Sequence, residues 1–431
     1  MFMNIEKNKI IKNASWIIVC RIAQSIINLV IGMISARYLG PSNYGIINYA
    51  GSIVAFMVPV VQLGFRNTFV QEVIAEPDKE GEIIGTILAS TLVSSFLGII
   101  GIAAFVSIVN RGQTDTIIVC VLYSGCLIFQ MMELIQYWYQ AKLLSKYTSI
   151  VSLCAYAVVS LYKVFLLITG KSIYWFAVSQ AMDYFLVSSA LIIIYFKLGG
   201  QKLKFSFMLL HKMFAKSKYY ILSGLMVTIY QNTDRVMLSI MLGEEANGYY
   251  SAAITCAGVA AFVFSAIIDS GRPVIFEGKK KSYQIFEDNI TKLFSLIIYL
   301  GFAQSIFFTV MSKLCVGILY GQAYAPAAAV LRIITWYSTF SYMGSVRNIW
   351  ILSEGKQHYL LWINLIGAII NIVGNYILIP LYGASGAAIA SVATYFFVDY
   401  VLCFVIREIR PCSRLIVKSL NPNIILSMIR R

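Results

Sequence analysis

Residues 14–36, ASWIIVCRIAQSIINLVIGMISA, followed by the hinge RYLGP at residues 37–41 and a second apolar segment that ends near Val61, decide the fold. The first segment is long enough to cross a bilayer, which takes about 20 helical residues. On a helix, its polar and small residues form one stripe, made of Arg21, Gln24, Ser25, Asn28, Gly32 and Ser35. Because an arginine facing hydrocarbon costs several kcal/mol, we expect this stripe to face other protein or a water-filled cavity.

Composition indicates an integral membrane protein. Of 431 residues, 59% are hydrophobic and only 12% are charged, which is more apolar than a soluble globular domain. The net charge of +15 does not indicate nucleic acid, because the lysines and arginines lie in short gaps between apolar runs. Anionic membrane lipids are the expected charged partner. The eight cysteines are isolated from one another and from histidine, so we predict neither a metal nor a cofactor.

The chain contains about twelve candidate spans, and the gaps between them predict their orientation. The predicted spans are residues 14–36, 44–65, 83–109, 116–138, 149–169, 173–196, 219–242, 247–271, 291–312, 327–351, 359–381 and 384–406. Most Lys and Arg residues lie in the N-terminus, the even-numbered gaps and the C-terminal tail. The odd-numbered gaps hold only Arg37, Arg111, Lys171 and Lys313. This asymmetry predicts that both termini are cytoplasmic.

The longest cytoplasmic gap, residues 197–218, divides the spans six and six. Both halves then enter the membrane in the same sense, as in a parallel repeat. Residues 38–45 and 241–248 also align at a constant offset, with a Leu-Gly pair and a later Gly in common. We therefore predict an all-α polytopic membrane protein with two six-helix bundles related by a parallel pseudo-twofold repeat around a central cavity. The predicted domains are residues 1–205, 206–406 and a basic cytoplasmic tail, 407–431.

Polar residues at helical spacing inside the spans are the candidate functional residues. Residues of this kind often join helices by hydrogen bonds, and we favour that structural role for the asparagines, the serines and Asp269, which can neutralise Arg272 one turn away. Deep cations instead indicate an anionic ligand, since a guanidinium fork binds phosphate oxygens bidentately. The predicted substrate-binding residues are Arg21, Arg235, Gln24, Asn28, Gln231, Lys163, Arg272 and Arg332. The candidate ion-coupling acids are Asp234, Asp269, Asp183 and Glu133.

Three segments, in order along the chain, resemble one family. They are residues 35–45 (SARYLGPSNYG), residues 232–238 (NTDRVML) with 248–253 (GYYSAA), and residues 371–380 (NIVGNYILIP) with 382–390 (YGASGAAIA). Together they are similar to the Wzx-type oligosaccharide flippases of the polysaccharide-exporter family. This family belongs to the multidrug/oligosaccharidyl-lipid/polysaccharide exporter superfamily.

The resemblance implies alternating access in the bacterial inner membrane. The implied cargo is an undecaprenyl-diphosphate-linked oligosaccharide repeat unit, moved to the outer leaflet for O-antigen or capsule synthesis, with other polysaccharide-assembly membrane proteins as partners. Related flippases carry cavity arginines on the first and seventh spans, so the resemblance implies diphosphate binding by Arg21 and Arg235. The chain lacks the two further C-terminal spans of peptidoglycan-precursor flippases, which argues against that role.

Two other classes of function are open at this point. A drug or metabolite antiporter of the same superfamily should have a cavity rich in acids and poor in arginine, and this chain has the opposite balance. A polytopic glycan polymerase or ligase needs catalytic groups on a sizeable outer loop, whereas the predicted outer gaps are short. We therefore expect a transporter with no catalytic residues.

Overall fold

The computed structural model describes residues 2–429, with side chains from residue 20 to residue 426 except those of Arg21 and Asn67. Within that part, every regular element is helical, which confirms the predicted all-α class. The α-helices are α1 (Phe2–Val61), α2 (Phe65–Ala75), α3 (Glu80–Val109), α4 (Thr114–Ser124), α5 (Cys126–Met132), α6 (Gln136–Ala141), α7 (Ser145–Ile168), α8 (Ile173–Lys197), α9 (Phe207–Leu242), α10 (Glu244–Ala257), α11 (Ala261–Lys281), α12 (Tyr283–Tyr320), α13 (Ala327–Ser353), α14 (His358–Tyr382), α15 (Ala384–Phe396), α16 (Leu402–Val405), α17 (Arg410–Ser419) and α18 (Pro422–Ile429).

A sharp kink divides α1 into two rods at the predicted hinge. Gly40 has φ 72° and ψ 170°, which is not a helical conformation and is one that a residue with a Cβ rarely adopts. Pro41 follows, and its missing N–H and fixed φ suit the start of a new helix. The sequence therefore identified the turn between the first two spans correctly.

The helices support about twelve membrane crossings. Eight helical segments of the described chain are long and apolar enough to span a bilayer, and a ninth is the pair α10 and α11, bent by 47°. The kinked α1 counts as one of these segments but supplies two rods. The helices α9 and α13 are also long enough, with 36 and 27 residues, but each carries polar and charged residues that lower its mean hydropathy. Those polar residues are the candidates that the sequence singled out.

The chain forms two compact units. Unit 1 comprises Met1–Leu39 and Ile46–Thr228, and unit 2 comprises Gly40–Gly45 and Ile229–Arg431. The division between Thr228 and Ile229 lies inside α9, so this helix contributes to both units. The boundary predicted between residues 205 and 206 lies in the linker before α9 and stays a prediction.

In unit 1, residues 201–206 run in extended form beside the start of α3. The Lys204 amide donates to the Gly81 carbonyl at 3.1 Å, and the Ser206 amide donates to Thr86 Oγ1 at 3.0 Å. Close approach requires glycine here, since a Cβ at Gly81 would lie 2.4 Å from the Lys202 carbonyl oxygen. The linker is therefore fastened to unit 1 by its backbone.

An acidic pair fastens the first turns of α9 to the same unit. The buried Glu72 carboxylate accepts hydrogen bonds from Lys216 and forms an ion pair with Lys212 at 3.3 Å. Lys212 also bonds Glu76 at 2.7 Å. Burial acts to raise the pKa of Glu72, but the two lysines outweigh it and the net effect lowers that pKa. Hydrogen bonds from Lys212 and Lys79 lower the pKa of Glu76 to about 2.

In unit 2, the two segments with the weak internal match contact each other reciprocally. A Cβ at Gly45 would lie 1.8 Å from the Glu244 carbonyl oxygen, and a Cβ at Gly248 would lie 2.0 Å from the Pro41 carbonyl oxygen. Asn247 Nδ2 donates to the Gly45 carbonyl at 2.9 Å. Pro41 and Gly45 correspond to Glu244 and Gly248 at the constant offset of the match, so each glycine meets the residue four positions before the other glycine.

The C-terminal tail forms the short helices α17 and α18. On α17, Cys412, Leu415 and Ile416 are buried in the core that includes α12, while Arg414 and Lys418 are exposed. The apolar face of α17 thus packs on protein and its basic residues face outward, and the helix is too short to cross a bilayer.

Candidate functional site

The centre of the candidate site in unit 2 is a buried carboxylate on α9. Asp234 is only 3% exposed. Its Oδ1 accepts from Asn371 Nδ2 at 2.9 Å and Asn375 Nδ2 at 2.6 Å, both on α14. Its Oδ2 accepts from the hydroxyl groups of Tyr250 on α10 and Ser391 on α15. Three helices, α10, α14 and α15, thus donate hydrogen bonds to one carboxylate on α9.

Neutral groups provide these four hydrogen bonds. A carboxylate has about four acceptor positions, so this network satisfies Asp234 without a salt bridge. Asn375 Oδ1 is buried and has no hydrogen-bond partner among the described residues, while Asn371 Oδ1 accepts from Asn375 Nδ2 at 3.0 Å. Amide and hydroxyl groups can present oxygen as well as hydrogen, and oxygen is the ligand that hard cations prefer. Asn375 Oδ1 is therefore an oxygen of this network that remains available to a donor or a cation.

The cation next to this network lacks an acceptor. Arg235 is half-buried, and its Nε is buried with no hydrogen-bond partner within the described part of the chain. A buried donor without an acceptor costs about 1–3 kcal/mol. Gln231, one helical turn earlier, is exposed. The structure therefore places an unsatisfied guanidinium nitrogen beside an acid whose own acceptors are filled.

Unit 1 brings together several of the predicted polar residues. Tyr156 Oη on α7 donates to Asn28 Oδ1 on α1 at 2.7 Å, and Gln24 lies half-buried one turn before Asn28. The predicted role of Arg21 concerns a side chain that lies outside the described residues. This contact joins the predicted polar stripe of α1 to α7.

Acids and a lysine are also close together in unit 1. Lys163 and Asp183 are near enough to interact electrostatically, as are Asp183 and Glu133. Asp183 Oδ1 is buried and has no hydrogen-bond partner in the part of unit 1 that is described. Glu133 begins the 3₁₀ turn Glu133–Ile135, which interrupts the fourth span between α5 and α6. These groups form a second polar site, separate from the Asp234 network.

Two predicted substrate residues of unit 2 lie outside the Asp234 network. Arg272 pairs with Asp269 at 3.7 Å, and their side chains are 51% and 59% exposed, so the expected neutralisation is present. Arg332 donates from Nε to Ser312 Oγ at 2.9 Å and lines a cavity with Lys313 at the end of α12. Neither arginine contacts the Asp234 network.

The sequence did not predict a buried ion pair between α13 and the twelfth span. Arg347 Nη1 lies 3.0 Å from Asp399 Oδ1 and donates to the Val398 carbonyl at 2.6 Å. Asp399 lies in a π-helical turn, Phe397–Val401, which widens the helix at this point. Arg347 is therefore neutralised within the protein, which argues against a role in binding an anionic substrate.

Tyr250 and Ser391 also went unrecognised as partners of Asp234. The sequence contained one usable signal, since Asn371 and Asn375 lie four residues apart and so share a helix face. No local pattern connects Ser391 to a residue 157 positions earlier.

Comparisons with known proteins agree with the fold and the predicted family. Residues 10–279 match the family model described as polysaccharide biosynthesis protein. The capsular polysaccharide biosynthesis protein CapF of Staphylococcus aureus is 20% identical over 398 residues, covering 90% of this chain and 96% of the relative. An uncharacterized membrane protein of Methanocaldococcus jannaschii is 27% identical over 242 residues, covering 52% of this chain and 47% of the relative.

Solved structures with low sequence identity share the fold. The lipid II flippase MurJ in an inward closed conformation has a TM-score of 0.72 at 13% identity, covering 93% of this chain and 90% of that chain. An inward-facing multidrug resistance MATE family transporter of the MOP superfamily has a TM-score of 0.69 at 11% identity, covering 93% and 96%. Because the family match covers more than half of its length, the chain belongs to the polysaccharide biosynthesis protein family, and its fold is that of the MOP-superfamily transporters.

Proposed function

We propose that this protein is a flippase that moves undecaprenyl-diphosphate-linked oligosaccharide repeat units from the cytoplasmic to the outer leaflet of a bacterial plasma membrane. The product serves the synthesis of a surface polysaccharide, either O-antigen or capsule. The family supports a role in polysaccharide synthesis, and the name of the S. aureus relative specifies a capsular polymer. The MOP-superfamily fold supports transport by alternating access rather than catalysis.

One observation carries the choice of an anionic cargo. Arg235 has a buried Nε without an acceptor, whereas the neighbouring Asp234 has all its acceptor positions filled. A diphosphate supplies the acceptor oxygens that Arg235 lacks, and a guanidinium remains charged at any physiological pH. An antiporter for cationic drugs needs the opposite balance, an acid left free to pair with its substrate.

In the proposed mechanism, Arg21 and Arg235 bind the diphosphate. Gln24, Asn28 and Gln231 provide hydrogen bonds to the phosphate and sugar oxygens, and Lys163 adds positive charge from unit 1. The prenyl chain remains in lipid throughout. Return of the empty protein is coupled to an ion at the acids Asp183 and Glu133 of unit 1, since Asp183 Oδ1 is buried and has no hydrogen-bond partner among the described residues.

The test is surface-glycan display in a flippase-deficient bacterium that carries this chain or one of its variants. We expect wild type to restore display and Arg235→Ala to abolish it, with Arg21→Ala as the second test of the site. Arg235→Lys should restore display only partly, because an ammonium retains charge but not the two-pronged geometry of the guanidinium. Arg272→Ala is the matched control, since that arginine is exposed and already paired with Asp269. Full display by a well-expressed Arg235→Ala protein would refute the site assignment.

A further inference from the structure

A cationic cavity lies at the far end of α12 in unit 2. It has a volume of about 510 Å³ and is lined by Lys313 on α12 and Arg332 on α13. Small residues such as Gly317, Gly321 and Ala328 make up most of the remaining wall, and no acid lines the cavity. Two cations thus border an open space with no carboxylate to neutralise them.

Arg332 is held in position at this cavity. Its Nε donates to Ser312 Oγ at 2.9 Å, while Thr309 Oγ1 donates to the Arg332 carbonyl at 3.3 Å. Neither Arg332 nor Lys313 forms a salt bridge with a described residue, although both side chains are exposed. Because Nε is the nitrogen that bonds Ser312, the two terminal nitrogens of the guanidinium can still donate to an anion.

An exposed apolar stripe leads along α12 to the same two cations. Ile306, Val310, Leu314 and Ile318 follow one another at every fourth residue and are 54%, 65%, 57% and 63% exposed. In a membrane protein, such a stripe is suited to hydrocarbon chains. Lys313 adjoins Val310 and Leu314, so its charge lies beside this apolar stripe.

The position of the cavity along α12 matches a membrane interface. Asp288 near the other end of α12 pairs with Lys418 of the C-terminal tail at 3.5 Å. Lys313 follows Asp288 by 25 residues (313 minus 288) on the same helix, which is about 37 Å at 1.5 Å per residue. This distance slightly exceeds the ~30 Å hydrocarbon thickness. The Asp288–Lys418 pair and the Lys313–Arg332 cavity therefore lie at opposite membrane surfaces. If the tail is cytoplasmic, as its charge predicts, the cavity faces the outer leaflet.

A second cavity adjoins the first through Ala329. Its volume is about 470 Å³, and its lining includes Tyr249, Tyr382, Ser385 and the carboxylate of Glu245, which accepts a hydrogen bond from the Tyr249 hydroxyl. Hydroxyl and aromatic groups beside a phosphate-binding cavity provide hydrogen bonds and stacking for the polar groups that a lipid phosphate carries.

We propose that the Lys313–Arg332 cavity binds the phosphate of a lipid headgroup in the outer leaflet, with the chain of that lipid on the apolar stripe of α12. Two lipids share this chemistry, namely the prenyl diphosphate cargo after translocation and an anionic phospholipid. The assignment of the cargo rests on the proposed function, whereas lipid-phosphate binding does not.

The test is native mass spectrometry of the purified full-length chain, titrated separately with phosphatidylglycerol, undecaprenyl diphosphate and sodium phosphate. We compare wild type with Lys313→Gln/Arg332→Gln. The matched control is Arg111→Gln/Lys171→Gln, which removes the same charge from other predicted outer loops. Lipid binding should weaken about tenfold in the first double variant, since charge-assisted hydrogen bonds are lost, and less than twofold in the control.

Each outcome decides the proposal. Loss of phosphatidylglycerol binding alone, or of both lipids, identifies a phospholipid headgroup site, and loss of undecaprenyl diphosphate binding alone identifies a release site for cargo. Equal binding by both double variants, or displacement of lipid by equimolar inorganic phosphate, would overturn it. If the double variant does not elute as a folded protein, Lys313→Gln alone replaces it, because that side chain is exposed. An Arg235→Ala protein that fails in glycan display should still bind lipid here, which separates the two proposals.

Discussion

Replacing Gly45 by alanine tests how rigidly the two matching segments of unit 2 are held together. The new Cβ would lie 1.8 Å from the Glu244 carbonyl oxygen and 2.7 Å from its carbon. Contacts below 3.0 Å are essentially never seen for a Cβ, so the two backbones must separate by at least 1.2 Å (3.0 minus 1.8). The atoms in the way belong to the main chain of α10, and no side-chain rotation relieves the overlap.

The expected cost follows from three terms. Overpacking of this kind costs about 1–3 kcal/mol. Separation also strains the hydrogen bond from Asn247 to the Gly45 carbonyl, which contributes about 1 kcal/mol. Alanine has a better helix propensity than glycine by about 1 kcal/mol, which offsets the second term. The net destabilisation is therefore about 1–3 kcal/mol, or a fall in apparent Tm of roughly 3–10 °C for a unit of this size.

The assay is thermal stability in detergent, followed by size-exclusion chromatography of fluorescently tagged protein. Gly32→Ala is the matched control on the same helix, because a Cβ there meets nothing within 4 Å. It should leave the apparent Tm unchanged or raise it. Gly248→Ala should match Gly45→Ala, and the double variant should lose less than the sum, since one separation relieves both contacts. An apparent Tm for Gly45→Ala equal to that of Gly32→Ala would refute the reasoning.

Three further predictions concern buried and paired charges. Asp234→Asn places an amide donor among four donors, so transport should stop and the apparent Tm should fall, as a display assay and a melting assay will show. Arg347→Met leaves Asp399 buried without its cation and should cost about 3–5 kcal/mol in a denaturation assay, whereas Arg347→Met/Asp399→Leu should recover most of that loss. Glu72 and Glu76 have lowered pKa values because their ionised carboxylates bond lysines, so these carboxylates stabilise the folded linker above pH 4–5. This contribution is lost as the pH falls toward about 2, so hydrogen exchange in residues 201–218 should be constant from pH 8 to 6 and accelerate in acid once intrinsic rates are corrected.

Each of these predictions has a control within the chain. Asp269→Asn removes an exposed carboxylate from the same unit and should change neither transport nor melting strongly. Asp78→Asn is the control for hydrogen exchange in the linker, because it removes an exposed carboxylate close in sequence to Glu76. If Asp269→Asn reduces transport as much as Asp234→Asn, the effect reflects net charge and not the Asp234 network.

The fold was largely predictable because bilayer physics acts on local sequence. A span needs about 20 apolar residues and its backbone must bond within the helix, so hydropathy alone locates most crossings. The hinge at Gly40 was predictable for the same reason, since a Gly-Pro pair interrupts an apolar pattern. Prediction succeeded even for α9 and α13, whose polar stripes lower their hydropathy, because their length and flanking gaps remained typical of spans.

The site was only partly predictable because its contacts are not local. Asp234 was a candidate from its depth alone, but three of its four partners lie between 137 and 157 residues away. Helical periodicity shows which face of a helix is polar and not which other helix meets it. The same limit concealed the pairing of Arg347 with Asp399. Partners of a buried charge depend on packing, which one sequence does not encode locally.

The distribution of acids among the arginines of unit 2 leads to a last prediction. Arg272 and Arg347 have carboxylate partners, whereas Arg235 and Arg332 form no salt bridge in the described chain. Arg235 adjoins the buried Asp234 network, while Arg332 is exposed beside the apolar stripe of α12. If the first binds cargo during translocation and the second receives it afterwards, their losses should affect different steps.

In proteoliposomes with a fluorescent undecaprenyl diphosphate glycan, Arg235→Ala should weaken loading about tenfold or more, as expected for a lost charge-assisted contact. Arg332→Gln should load normally and release more slowly, because only the contact after translocation is missing. Loading is measured as the glycan bound when it is supplied only in the cytoplasmic leaflet, so that the outer cavity does not contribute, and release by access of an external lectin to the glycan. If both variants impair loading equally, Arg332 belongs to the translocation site and the separate outer cavity has no role in release.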